Sequence, residues 1–109
     1  MEDLQKIIDK LKNFRDERDW EQFHNSKDLS LAISIEANEL LEAFLWKENE
    51  GASLDKIKEE LADVFCYCLL LADKHNLNII KIAEEKIHSN AIKYPIDKSR
   101  GSSKKYNEL

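Results

Sequence analysis

The sequence predicts an all-α protein: a four-helix bundle that oligomerisation completes, followed by a basic C-terminal tail. Three observations carry this. Apolar residues recur at i, i+3, i+4 and i+7 along most of the chain. The 109 residues hold only two glycines (Gly51, Gly101) and one proline (Pro95), too few turn-formers for a sandwich or barrel that turns roughly every 8–12 residues. One segment, Val64–Ala72, is apolar nearly all round and needs cover on more sides than so small a chain provides. The length suits one domain, 1–109, with 95–109 as an extended basic tail.

The elements follow in order. Over residues 2–19, Leu4, Ile7, Ile8, Leu11 and Phe14 form one helix face. A short connector, residues 20–26, offers Asn25 or Ser26 as cap for a second helix over about residues 27–48. Gly51 follows as a stop signal. Ser53 is placed to cap a third helix over about residues 54–75. His75-Asn76-Leu77-Asn78 reads as a break, and a fourth helix covers about residues 79–94, ended by Pro95. From Ile96 the periodicity is lost. That tail carries four basic and two acidic residues, +2, leaving −7 for the remainder of a chain whose total is −5.

Composition narrows the function. Charged residues are 36% and hydrophobic ones 42%, a globular rather than disordered balance. No run approaches ~18 apolar residues, so no membrane span is expected, and Met1–Lys6 lacks the apolar region of a signal peptide. Cys66 and Cys68, two residues apart on a helix, point to different faces and are not expected to bridge; they read as packing residues in a reduced, cytoplasmic setting. The acidic total argues against a nucleic acid polymer as partner.

The second helix breaks its own pattern. Leu29, Ala32, Ile33, Leu40, Ala43 and Phe44 make its apolar stripe. Glu36 falls in the middle of that stripe and Glu39 at its edge. A carboxylate there is costly to ionise unless it has a partner or a metal. The third helix carries Glu60, Asp63 and Tyr67 at i, i+3, i+7 along one flank. Packed antiparallel, the two helices bring together Glu36, Glu39, Glu60 and Asp63. Four anions at ~4–6 Å repel without protons or cations, and all-oxygen ligands suit a hard cation, Mg²⁺ or Mn²⁺. The plain alternative is two solvated acidic faces, or a Glu36 paired with Lys or Arg at the core edge.

The fourth helix supplies the opposite sign. Lys86, Asn90 and Lys93 lie at i, i+4, i+7, and the tail adds Lys98, Arg100, Lys104 and Lys105. Cationic side chains near a metal–carboxylate site suit a phosphate ligand, though single lysines are ordinary surface residues. Trp20 and Trp46 end or follow helices, where an indole either stacks on a planar base or packs a core or oligomer contact. Glu85-x-x-His88 has the spacing of half a di-iron motif. It lies on a polar face with no second copy and is set aside.

With these residues in hand, the chain resembles the MazG-like all-α nucleoside triphosphate pyrophosphohydrolases, and most closely their dCTP pyrophosphatase branch. The carrying residues are Glu36-Ala37-Asn38-Glu39 and Glu60-Leu61-Ala62-Asp63. They are flanked by Glu17–His24, by Phe44-Leu45-Trp46-Lys47, and downstream by Lys86, Asn90, Tyr94-Pro95, Ser99–Ser102 and Lys105-Tyr106. The resemblance runs from about Phe14 to Leu109. It implies that Glu36, Glu39, Glu60 and Asp63 are catalytic and hold Mg²⁺, for which Mn²⁺ substitutes. It implies that Lys86, Asn90, Tyr94 and Arg100 approach phosphates or sugar, and that Trp20, His24, Trp46 and Tyr67 line the base and sugar pocket. It further implies a homo-oligomer, tetramer favoured over dimer, with sites shared between chains. Some dCTP-selective relatives carry a His nine residues before the tryptophan; here the residue is Leu11, which leaves base preference open.

The implied reaction is Mg-dependent cleavage of a (deoxy)nucleoside triphosphate, dCTP or a related or modified pyrimidine nucleotide, to the monophosphate and pyrophosphate, as in nucleotide pool sanitation. Glu36 or Glu39 is the candidate base for an attacking water. The rival expectation is a non-catalytic helical oligomerisation module with solvated acidic faces.

Overall fold

Five helices and two short 3₁₀ turns make up every regular element in the computed structural model, which describes residues 2–48 and 51–109. They are α1 (Glu2–Glu17), α2 (Ser26–Glu42), α3 (Leu54–Lys74), α4 (Ile79–Lys93) and α5 (Ile96–Ser99), with 3₁₀ turns at Glu21–Phe23 and Tyr106–Glu108. No helix among the described residues is long and apolar enough to cross a membrane. The chain forms two compact units, Met1–Asn76 and Leu77–Leu109.

In the first unit the helix ends are set by local chemistry. Asn25 caps α2, its side-chain oxygen accepting the Asp28 N–H at 2.8 Å, and Ser53 caps α3 by accepting the Lys56 N–H at 3.2 Å. α1 closes with paired bonds, Trp20 N–H to Arg15 C=O (3.0 Å) and Asp19 N–H to Asp16 C=O (3.1 Å). These place Asp19 in the left-handed region, φ 54°, where Asp is tolerated better than most residues. Asn76 does the same after α3, φ 56°.

α2 ends six residues short of the expected Glu48. Helix propensity continues through Lys47, but the ladder tightens to i→i+3 bonds, Phe44 N–H to Leu41 C=O (2.9 Å) and Leu45 N–H to Glu42 C=O (3.2 Å). Trp46 then turns left-handed, φ 64°, and the helix cannot resume. Gly51 closes the following turn, donating to Glu48 C=O at 2.8 Å. A Cβ there would stand 2.6 Å from Lys47 Cβ.

α2 and α3 pack antiparallel, and α1 lies along α3. The start of α2 meets the end of α3, with Ser26 Oγ and His75 Nε2 hydrogen-bonded at 2.9 Å. Lys12 Nζ on α1 stands 3.5 Å from Asp73 Oδ2 on α3. The buried core is thin, consisting among the described residues of Leu29, Ala43, Leu69, Leu70 and Ala72. Leu31, Ile35, Leu41, Leu61 and Phe65 remain exposed, and within the apolar run Val64–Ala72 Phe65 is exposed and Val64, Cys66, Tyr67 and Cys68 are only half-buried.

In the second unit Asn78 caps α4, accepting the Lys81 N–H at 3.1 Å. The tail is more ordered than its lost periodicity suggests. Pro95 leads directly into α5, and Tyr106 returns to Tyr94, ring centroids 6.2 Å apart at 86°, with Lys93 Nζ 5.1 Å over the Tyr106 ring. An aromatic contact, invisible to a helix-periodicity reading, orders this end.

Leu69, 1% exposed, anchors the α2–α3 core. Leu69→Ala should lower the unfolding free energy by about 2–5 kcal/mol, measured by chemical denaturation. A loss below about 1 kcal/mol would mean that the packing does not centre there.

Candidate metal centre

Antiparallel packing sets the middle of α2 against the first half of α3. One carboxylate oxygen each from Glu36, Glu60 and Asp63 lies within 4.8 Å of the others. Glu60 and Asp63 share a flank because they are one turn apart. Glu39, one turn after Glu36, is close enough for its carboxylate to raise the Glu36 carboxyl, but it is not among the three whose oxygens converge. Three of the four carboxylates singled out by the sequence therefore converge, with Glu39 beside Glu36.

Their environments differ. Glu60 is 3% exposed, Glu36 half-buried and Asp63 exposed. Burial, then the carboxylates of Glu39, Asp63 and Glu60, push the Glu36 carboxyl up to about 7. No Lys or Arg among the described residues pairs with it. Glu60 moves the other way: the Lys56 ammonium, 2.9 Å from Glu60 Oε1, holds it below the usual carboxylate range. The Oε2 atoms of Glu36 and Glu60 are both buried and without a hydrogen-bond partner. Two orphaned oxygens in an all-oxygen, anionic donor set fit a hard divalent cation.

A cavity of about 420 Å³ opens beside Asp63, between α1, the residues linking α1 to α2, and α3. It is walled mainly by apolar groups, including Ile7, Leu11, Phe14 and Leu70, with Trp20, His24 and Tyr67 in the lining. Trp20 packs edge-on against Phe14, centroids 5.7 Å apart at 74°. The Arg18 guanidinium lies 3.7 Å from the Phe14 centroid. His24 Nδ1 is buried and without a partner. Burial first, then the nearby Arg15 charge, lowers the His24 pKa and favours the neutral imidazole. Burial, then the charges of Glu36 and Asp63, raises the Tyr67 hydroxyl, which keeps it protonated and able to donate.

The cavity thus gathers Trp20, His24, Tyr67 and Asp63. Trp46, expected by resemblance to line the base pocket, is not in this lining; it sits on the turn after α2, wholly exposed at 100%. Lys86, Asn90, Tyr94 and Arg100 belong to the second unit. There Lys86 and Arg100 are exposed and Asn90 and Tyr94 half-buried, with the Tyr94 N–H donating to Asn90 C=O at 2.8 Å. Sequence reasoning passed over Arg15, whose side chain is 12% exposed beside Asp16 (2.8 Å) and which lines the cavity. Its signal is the one that flagged Glu36: Arg15 lies four residues after Leu11 and seven after Ile8, a charge on an apolar stripe.

The MazG-like family model matches residues 31–109. The dCTP pyrophosphatase 1 of Homo sapiens is 38% identical over 104 residues, 88% of this chain and 61% of that protein. The Rattus norvegicus dCTP pyrophosphatase 1 is 36% identical over 104 residues, again 88% of this chain and 61% of that protein. The chain therefore spans about three-fifths of the length of these relatives. A crystal structure of a pyrophosphatase from Archaeoglobus fulgidus superposes with TM-score 0.75 at 37% identity, over 84% of this chain and 91% of that one. Sequence and fold agree, and the chain belongs to the MazG-like family.

Proposed function

We propose that this protein is a Mg²⁺-dependent nucleoside triphosphate pyrophosphohydrolase that cleaves dCTP, or a related or modified pyrimidine nucleotide, to the monophosphate and pyrophosphate in the cytoplasm. The observation that carries the reading is the junction of two features at Asp63. On one side stand the carboxylates with their orphaned oxygens; on the other is an aromatic-edged, mainly apolar cavity. A metal site beside a slot for a planar group is what a nucleotide polyphosphate requires. The names of the relatives, dCTP pyrophosphatase 1 and a pyrophosphatase, support the same activity.

Mg²⁺ or Mn²⁺ held by Glu36, Glu39, Glu60 and Asp63 supplies charge screening and Lewis acidity toward the triphosphate. Whichever of Glu36 and Glu39 the metal leaves unsaturated is the base that accepts the proton of the attacking water. Trp20 and Tyr67 flank the base and sugar, and the unpartnered His24 Nδ1 offers a polar contact inside an otherwise apolar slot. Trp46, fully exposed and outside this cavity, is placed to meet a base only as a contribution to a partner chain's site. Lys86 and Arg100, in the second unit, are of the kind that stabilises charge on a leaving pyrophosphate, and Asn90 and Tyr94 of the kind that meets phosphates or sugar. No Ser or Cys nucleophile is needed. The exposed Leu31, Ile35, Leu41, Leu61 and Phe65 support a homo-oligomer, tetramer before dimer, in which partner chains cover this face.

The enzyme with Mg²⁺ should release pyrophosphate from dCTP, and a panel of common NTPs and dNTPs ranks its preference. Glu60→Gln and Asp63→Asn remove charge with little change of shape and should each lower the rate by at least about 10²-fold. Full turnover by Asp63→Asn would contradict the metal assignment. Light scattering at micromolar concentration should give a mass of two or four chains; a fully active 12.8 kDa species would refute the shared interface.

A further inference from the structure

We infer that Lys56 is the resident cation of the carboxylate cluster, and that a divalent ion entering the cluster competes with this ammonium for the charge of Glu60. The inference rests on the metal reading of the cluster and adds a competitor to it.

Lys56 Nζ lies 2.9 Å from Glu60 Oε1, on a glutamate side chain only 5% exposed, and the lysine itself is 49% exposed. Its next acidic neighbour, Glu59, is 3.9 Å away and 68% exposed, so the close contact is to the buried carboxylate. Glu60 Oε2, the other oxygen of the same group, is buried and unpartnered. One oxygen of Glu60 is thus occupied by an ammonium and the other has no partner, on a side chain that converges with Glu36 and Asp63.

Helix preferences do not explain a lysine at this position. Lys56 is the third residue of α3, which starts at Leu54, where the helix dipole disfavours a cation. Lys preceding Glu at i, i+4 is also the less favourable order for such a pair. What the position does provide is a positive charge against the deepest carboxylate of the cluster. A residue that breaks local rules and meets a functional group is best read by that group.

The consequences have a definite sign. A fixed ammonium beside Glu60 repels an incoming divalent ion and shares one of its ligand oxygens, so it weakens binding of the free metal. On its flexible stem it is also free to swing away once displaced, toward any polyanion that the metal brings with it. Lys56 therefore makes the cluster hold free metal loosely and favours uptake of metal together with an anionic ligand.

The test is calorimetric titration of Mn²⁺ into the full chain without nucleotide. Removing a unit charge about 5 Å from a divalent ion is worth on the order of tenfold in affinity. Lys56→Gln should then bind Mn²⁺ roughly tenfold more tightly than the unmodified chain. Lys58→Gln, which removes the same charge from an exposed position two residues along, should leave affinity within about twofold. Lys56→Arg keeps the charge and should bind no more tightly than the parent, and it tests the idea even if the glutamine variant folds poorly. Equal Mn²⁺ affinity in Lys56→Gln and the parent overturns the competitor role while leaving the metal site intact. No binding in any of them overturns the metal reading, and the inference with it.

Discussion

The charge on Glu36 is the constraint to which the rest of this structure answers. It stands in the apolar stripe of α2, facing Glu60 and Asp63 across the helix pair with Glu39 one turn away. Ionised, it faces three like charges in a partly desolvated place. Protonated, it is neutral but leaves a buried oxygen without a partner. Neither state is satisfied by the described residues alone, and only Glu60 finds a cation, in Lys56. A buried polar group left in that condition marks a position kept for a ligand rather than for stability.

The fold delivers this arrangement economically. Two side-chain caps, Asn25 and Ser53, fix where α2 and α3 begin, and so fix their register in antiparallel packing. The small core of Leu29, Ala43, Leu69, Leu70 and Ala72 holds that register. α1 closes with Asp19 in the left-handed region, which sends Trp20 across to Phe14 and lines one wall of the cavity that meets Asp63. The metal site and the slot beside it are thus products of helix-end chemistry as much as of core packing.

Much of this is legible in the sequence, for reasons that are local. The cap at Ser53, the choice of Asn25 or Ser26 before α2, the break over His75–Asn78 and the stop at Pro95 rest on residues with strong local preferences. Glu36 stands out because it violates a periodicity. What is not legible lies in backbone turns and contacts that no single residue signals. The residues from Ala43 to Lys47 favour helix, yet α2 ends at Glu42 and leaves Trp46 on an exposed turn. Tyr106 folds back on Tyr94 from a tail with no periodic signal. Arg15 and Lys56 carry readable cues, a charge on an apolar stripe and a lysine one turn before a buried glutamate, but such cues gain meaning only once the facing helix is in place.

The central claim is that the proton on Glu36 stands where a metal belongs. Titrating Mg²⁺ into the chain by calorimetry, in two buffers of different ionisation enthalpy, tests it directly. A carboxyl with its pKa raised to about 7 is half protonated at that pH and must lose its proton to become a ligand. The account predicts release of about half a proton per Mg²⁺ at pH 7, rising toward one as pH falls to about 6 and vanishing above about pH 9. Binding whose heat is independent of the buffer throughout that range would contradict it.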